Sequence, residues 1–250
     1  MQSTTTLGPG ARPGTGSVPG AVGTMWTRGL LACGVLAGPL YLAAAVAQGA
    51  SRAGFRLAHD DVSLLADGTL GWIQIANFIL AGALTLACAA GLRPVLRARG
   101  GSPWGARLLA GYGVGLIAAG IFRADPANGF PPGTPAGKAT TMSWHGILHI
   151  AAAGAGFVCL IAACFVLARL FSAQGQRRWA AYSRISGALF LAGFLGAVSG
   201  SDSAGVVLGF WAAVVIGWTW IALVAAKALT PDFQHPAGPA AQPSARQLAS

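Results

Sequence analysis

Long uncharged apolar runs constrain this chain most, because about 20 consecutive apolar residues are enough to cross a lipid bilayer. The first four runs are Gly29–Ala47, Trp72–Leu92, Leu108–Phe122 and Ile147–Ala168. Between Arg184 and Lys227 the only charged residue is Asp202, which predicts two more spans joined by a tight turn at Ser201-Asp202-Ser203. The sequence therefore predicts an all-α polytopic membrane protein with six transmembrane helices.

Composition supports the membrane class over the soluble one. The chain is 54% hydrophobic and only 9% charged, whereas soluble domains carry about 25% charged residues. The formal net charge is +10, but the basic residues form short clusters at the ends of apolar runs. Such clusters orient membrane helices, so no nucleic-acid partner is expected. The partner that the composition predicts is the lipid bilayer.

Segments of different composition flank the six runs. Residues 1–27 are rich in Gly, Pro, Ser and Thr, and residues 229–250 are rich in Pro, Ala and Gln. Both compositions favour flexible tails over packed structure. The predicted organisation is thus a transmembrane domain over residues 28–228 between two tails.

The distribution of arginine and lysine predicts the orientation, because positively charged loops stay in the cytoplasm. With the N-terminus inside, twelve basic residues are cytoplasmic and four are not. The four outer ones are Arg52, Arg56, Arg123 and Lys138. Both termini are therefore predicted to be cytoplasmic. In this orientation, five of the six acids fall on the outer side together with His145 and His149.

The first outer loop predicts a short interfacial helix. At helical spacing Phe55, Ala58, Val62 and Leu65 share one face, and Arg56, Asp60, Ser63 and Asp67 share the opposite face. An apolar face against lipid and a polar face toward water are typical of an interfacial helix. The acids Asp60 and Asp61 are then either solvated or part of a ligand site.

Asp125 and His145 are each predicted at the helix end that disfavours their charged form. Asp125 follows the end of the third span, and His145 opens the fourth. The helix dipole disfavours an anion at the first position and a cation at the second. A mutual contact or a shared metal ion would relieve both residues.

His145 and His149 are four residues apart, so they share a helical face, as two imidazole ligands of one ion do. A divalent site such as zinc needs a third ligand, for which Asp125, Asp60 and Asp61 are candidates. The alternative is a structural clasp in which the histidines bond Asp125 and nearby carbonyls. Asn77, inside the second span, is either a ligand-binding residue or a hydrogen-bond donor to a neighbouring helix. Asp202 is interpreted as an N-cap of the sixth span.

Two glycine pairs have the spacing of close helix packing. Gly111 and Gly115 lie in the third span, and Gly196 and Gly200 lie in the fifth. Small residues four apart allow helix backbones to approach closely in lipid. The pattern predicts packing contacts and carries no information about chemistry.

In several segments the chain resembles bacterial six-helix membrane proteins grouped as domain of unknown function 998. The segments are Val62-Ser63-Leu64-Leu65, Gly71-Trp72 with Asn77, Gly120-Ile121-Phe122-Arg123-Ala124-Asp125-Pro126, and the HGILH run from His145 to His149. The resemblance covers roughly residues 30–225. It implies the six-helix architecture and a multi-pass protein of the bacterial plasma membrane, with no established activity.

A fainter similarity is to membrane hydrolases that include alkaline ceramidases, whose sites combine Ser, Asp and His around zinc. By that analogy Ser63, Asp125, His145 and His149 would form a catalytic set.

The sequence therefore leaves three functions open. The first is an outward-facing Asp/His site that binds or hydrolyses a lipid-like ligand, with or without a metal. The second is a non-catalytic partner of another membrane protein, and the third is a proton-coupled transporter, which would need a polar path through the bundle.

Overall fold

The structure, a computed structural model, describes residues 20–137, 141–201 and 203–234. Within these residues the regular structure is helical, without strands. The elements are α1 (Gly20–Ser51), a 3-10 helix (Val62–Ala66), α2 (Gly71–Ala98), α3 (Trp104–Ile121), α4 (Trp144–Ala173), α5 (Arg177–Val198), α6 (Ala204–Leu229) and α7 (Pro231–Gln234).

Helices α1 to α6 are each long and apolar enough to cross a membrane, which confirms the predicted all-α, six-span architecture. Each helix packs against the next one along the chain, and α1 also packs against α6. The six helices therefore form a closed ring. Because successive spanning helices alternate in direction, the α1–α2, α3–α4 and α5–α6 connections lie at one end, which we call the site end.

Helices α1, α2 and α4 begin before and end after the apolar runs predicted for them. Helix α1 begins at Gly20, inside the segment predicted as a tail. Past α6, Phe233 of α7 is buried and contacts the ring of Phe171 at 6.1 Å between centroids. The Arg99 guanidinium lies 4.1 Å from the Phe233 ring centroid and donates to its carbonyl. Structure thus continues beyond residue 229. Lys138 and Asp202, including its predicted N-cap role, lie outside the described residues.

The loop between α1 and α2 differs from the predicted amphipathic helix. Only Val62–Ala66 is helical, and it is a 3-10 helix. Asp60 and Asp67, predicted on the polar face, are buried at 0% and 5% exposure. Phe55 and Leu65, predicted to face lipid, are buried as well. The loop therefore packs into the end of the bundle, and the interpretation of Asp60 as a solvated acid was wrong.

The first glycine pair packs as predicted, but the second does not. A Cβ atom at Gly115 would lie 2.8 Å from the Cα of Gly156 and 2.9 Å from the Ala152 carbonyl oxygen, so only glycine permits this α3–α4 approach. Gly111 lies against the side chain of Cys159. Gly200, in contrast, follows the end of α5 with φ +79°, a turn conformation that favours glycine.

Candidate functional site

Two connections cover the site end of the bundle. Phe130 of the α3–α4 loop is buried and lies edge-on to Phe55, with 5.3 Å between ring centroids. Asn128 Nδ2 donates to the His59 carbonyl at 3.2 Å, and an Arg56 nitrogen donates to the Asn128 carbonyl at 3.3 Å. The two loops therefore form one joined cover, and its residues are held near the first turns of α4.

Asp125, just past α3, caps the beginning of α4. Its carboxylate accepts from the Ser143 backbone N–H at 2.8 Å and from the Ser143 hydroxyl at 2.5 Å. Ser143 is the N-cap of α4, and its hydroxyl oxygen accepts from the Gly146 N–H. A Cβ atom at Gly146 would meet the Asp125 carboxylate at 2.2 Å, so glycine makes room for it. The N-terminus of α4 thus supplies the favourable dipole that the end of α3 does not.

His149 of α4 caps the end of α3 in return. Its Nδ1 atom lies 2.9 Å from the Ala119 carbonyl oxygen and 2.8 Å from the Phe122 carbonyl oxygen. Carbonyls at a helix end lack intrahelical partners, and these two can only accept. Nδ1 must therefore carry the hydrogen, which leaves Nε2 of the neutral ring as an acceptor. Nε2 has no hydrogen-bond partner among the described residues.

The predicted Asp125–histidine contact is not formed. No hydrogen bond or ion pair joins the Asp125 carboxylate to His145 or His149 within the part of the chain that the structure describes, because Asp125 binds Ser143. His145 stacks on Trp144 with 3.6 Å between ring centroids, and its buried Nδ1 has no partner among the described side chains. Of the predicted clasp, only the bonds of His149 to nearby carbonyls are formed, and Asp125 and His149 each cap the other's helix.

The predicted metal ligands are likewise not assembled. Among the described residues, no group of three or more His, Cys, Asp or Glu side chains is placed to hold a metal ion. The Nδ1 atom of His149 bonds the α3 carbonyls and cannot also bind a metal ion. His145 stacks on Trp144, and the Asp125 carboxylate binds Ser143. The arrangement therefore gives no support to a divalent site on His145, His149 and Asp125.

Asp60 and Asn77 form hydrogen bonds within the protein and do not line a cavity. The Asp60 carboxylate accepts from the Arg56 backbone N–H at 2.6 Å and closes the turn that both residues flank. Asn77 Nδ2 donates to the Tyr41 carbonyl of α1 at 3.1 Å and to the Gln74 side chain at 3.2 Å. The prediction that Asn77 bonds a neighbouring helix is confirmed, and neither residue lines the cavities described below.

Asp67 is the titratable group with the clearest perturbation in these loops. Burial raises the pKa of its carboxyl to about 6. The positive charge of Arg123 lowers this pKa, the negative charge of Asp125 raises it further, and the positive charge of Arg52 lowers it. The Arg52 guanidinium donates to the backbone carbonyls of Leu65 and Asp67. One carboxylate oxygen of Asp67 is buried without a partner among the described residues. The negative charge of ionised Asp67 is therefore only partly balanced by hydrogen bonds and nearby positive charge.

A polar chamber of about 300 Å³ lies beneath the joined loops. Its polar lining residues are His59, Asp61, Ser63, Asp125, Asn128, His149 and Ser201. They come from both loops, from the start of α4 and from the turn after α5. Several segments distant in sequence thus meet at one cavity.

An apolar chamber of about 390 Å³ lies deeper in the bundle. Six aromatic side chains line it: Tyr41, Phe78, Tyr112, Phe157, Phe194 and Phe210. Small residues of α4, including Ala153, Gly154 and Gly156, leave the space that these rings enclose. Further along α4, Leu160, Cys164 and Leu167 are buried. These side chains do not continue the polar path that a proton-coupled transporter would need.

The two chambers adjoin, because six residues line both. They are Asp61, Ser63, His149, Ile150, Ala197 and Phe210. Of the residues predicted from sequence, Asp61, Ser63, Asp125 and His149 line a chamber, whereas Asp60, Asn77 and His145 do not. Sequence reasoning missed Tyr41 and Tyr112, which have no distinguishing neighbours within their apolar runs. It also missed Ser143, whose place before an apolar run is an N-cap signal.

The family model described as Protein of unknown function (DUF998) matches residues 35–227, so the chain belongs to that family. No curated protein and no solved structure matches the chain. The match covers all six spanning helices in whole or in large part, together with both loops of the site end.

Proposed function

We propose that this member of the family binds a lipid-like molecule with a single apolar chain in the two adjoining chambers. The chain occupies the aromatic chamber, and the polar head occupies the chamber beneath the loops. The observation that carries the proposal is the shared lining of two cavities, of which the one beneath the loops has the more polar lining.

The sizes and surfaces of the chambers support this pairing. Ligand cavities are usually about 300–1,000 Å³, mostly apolar, with a few polar groups that fix orientation. The apolar chamber, at about 390 Å³, has that size and lining. The adjoining chamber adds a second carboxylate, that of Asp125, and the polar residues His59, Asn128 and Ser201. A molecule that is apolar at one end and polar at the other matches this asymmetry.

Gly154 provides the test, because its position on α4 has space for a side chain. Only Phe194 lies within 4 Å of a Cβ atom placed there, at 3.8 Å. A leucine at this position would extend into the apolar chamber. We therefore expect Gly154→Leu to weaken binding of tritiated dodecanol by at least about tenfold, in protein reconstituted into phosphatidylcholine nanodiscs.

Gly209→Leu is the matched control. A Cβ atom at Gly209 of α6 meets nothing within 4 Å, and Gly209 lines neither chamber. Both variants make the same change within a spanning helix, so effects on helix propensity and hydrophobicity are equal. Binding that falls equally in both variants, or no saturable binding above that of empty nanodiscs, would refute the proposal.

A further inference from the structure

We infer that the ligand's polar head is a primary ammonium group, so that the molecule is a long-chain amine. This inference rests on the proposed function, and it specifies the chemistry of the polar chamber. The relevant features are the charges that line the chamber and the direction of its hydrogen bonds.

The first feature is charge. Asp61 and Asp125 line the polar chamber, and no lysine or arginine is among the described residues that line it. Neither Arg56 nor Arg123 of the nearby loops reaches the lining. An anionic head would therefore meet like charge, and a cationic head would meet two carboxylates. Since opposite charges attract and like charges repel, the lining favours the cationic head.

The second feature is the hydrogen-bond acceptor that His149 presents. His149 is only 5% exposed, and its Nδ1–H is already given to the carbonyls at the end of α3. Its Nε2 is therefore left as an acceptor, and His149 lines both chambers. The Asp125 carboxylate uses two of its roughly four acceptor sites on Ser143.

Two donors of the same chamber bond to other protein atoms. Asn128 Nδ2 donates to the His59 carbonyl, and the Ser201 hydroxyl donates to the Ser203 oxygen. A bound head that carries N–H groups can donate to the Nε2 atom of His149 as well as to the carboxylates. A primary ammonium has three N–H donors and one positive charge, which answers both features.

A series of dodecyl compounds with different heads tests this inference on the wild-type protein in phosphatidylcholine nanodiscs. We expect dodecylamine to bind about tenfold or more tightly than dodecanol, and dodecanoate to bind most weakly. Dodecyltrimethylammonium has the charge without the N–H donors, so we expect it to bind less tightly than dodecylamine. Equal binding of these two cations would overturn the assignment of His149 as the acceptor.

Asp61→Asn and Asp67→Asn form the matched pair of variants. Each removes one negative charge from the same loop, but only Asp61 lines the polar chamber. We expect Asp61→Asn to reduce the preference for dodecylamine over dodecanol severalfold and Asp67→Asn to leave most of it. A preference that survives Asp61→Asn, or that falls equally in both variants, would overturn the placement of the head.

The failure of this inference is distinguishable from the failure of the proposed function. Dodecanol and dodecylamine that bind equally well, and that both lose affinity in Gly154→Leu, would refute the ammonium head and leave the chain site intact. If none of the dodecyl compounds binds above empty nanodiscs, the chain site itself is refuted.

Discussion

At the scale of single residues, Asp67 is a buried carboxyl in the loops of the site end whose ionisation lowers the stability of the fold. Its carboxyl is buried at 5% exposure, and one of its oxygens has no partner among the described residues. The Arg52 guanidinium, which could have paired with it, donates instead to the carbonyls of Leu65 and Asp67. The protonated form of Asp67 is therefore the better tolerated one.

This cost predicts a pH-dependent stability. Because burial raises the pKa of folded Asp67 to about 6 from an ordinary value of 3.8, the folded protein binds the proton more tightly than the unfolded chain. The stability that protonated Asp67 contributes is present in full below the pKa of this group in the unfolded chain. It is lost as the pH rises through about 6. We expect Asp67→Asn to raise the thermal midpoint in detergent at pH 7.5, by up to about 3 kcal/mol of stability, and to have little effect near pH 3, below the unfolded pKa.

Thermal melts of the wild type and Asp67→Asn at both pH values provide the measurement. Asp61→Asn, which removes a carboxylate from an exposed position of the same loop, is the comparison variant. An Asp67→Asn variant that is less stable than the wild type at pH 7.5 would show that the ionised carboxylate is compensated.

At the scale of helices, α3 and α4 are joined by reciprocal capping and by a close backbone approach. Asp125 caps α4 through Ser143, and His149 caps α3 through the Ala119 and Phe122 carbonyls. Deeper in the bundle, Gly115 lies against Gly156. These contacts fix the α4 residues that line both chambers.

The Gly115 contact predicts a loss of stability from a single methyl group. A Cβ atom at Gly115 would lie 2.8 Å from the Cα of Gly156, and backbone cannot give way cheaply. We expect Gly115→Ala to lower the thermal midpoint in detergent, by about 1–3 kcal/mol of stability. Gly205→Ala is the control, since a Cβ atom there meets nothing within 4 Å, and it should cause no loss. Equal midpoints for the two variants would contradict the close approach.

The sequence predicted which residues of these helices matter better than it predicted their partners. Asp125 was selected because acids are scarce in the chain, and His149 because it lies four residues after His145. Both line a chamber. The predicted contact between Asp125 and His145 was wrong because the dipole argument considered only the helix that each residue follows or opens. A capping partner on a neighbouring helix depends on tertiary geometry, which periodicity does not contain. The same holds for Asp60, whose burial depends on how the loop folds back.

At the scale of the whole molecule, six apolar runs were sufficient to predict six helices, because hydrocarbon strictly limits which segments can cross it. The ring that α1 closes against α6, and the chambers within it, were beyond this reasoning. Tyr41 and Tyr112 lie in spans that look alike in sequence but face the same cavity. That the site end faces outward remains a prediction from the bias of arginine and lysine.

The most direct test of the chambers as an amphiphile site is to locate a bound molecule at both of its ends. Dodecylamine carrying a terminal bromine gives an anomalous signal at the end of its chain in a crystal of the complex. We expect the bromine among Tyr41, Tyr112 and Phe157, with the nitrogen near Asp61 and the Nε2 atom of His149. A bromine found outside the helix ring, or a molecule bound with its head among the aromatic rings, would refute the proposed site.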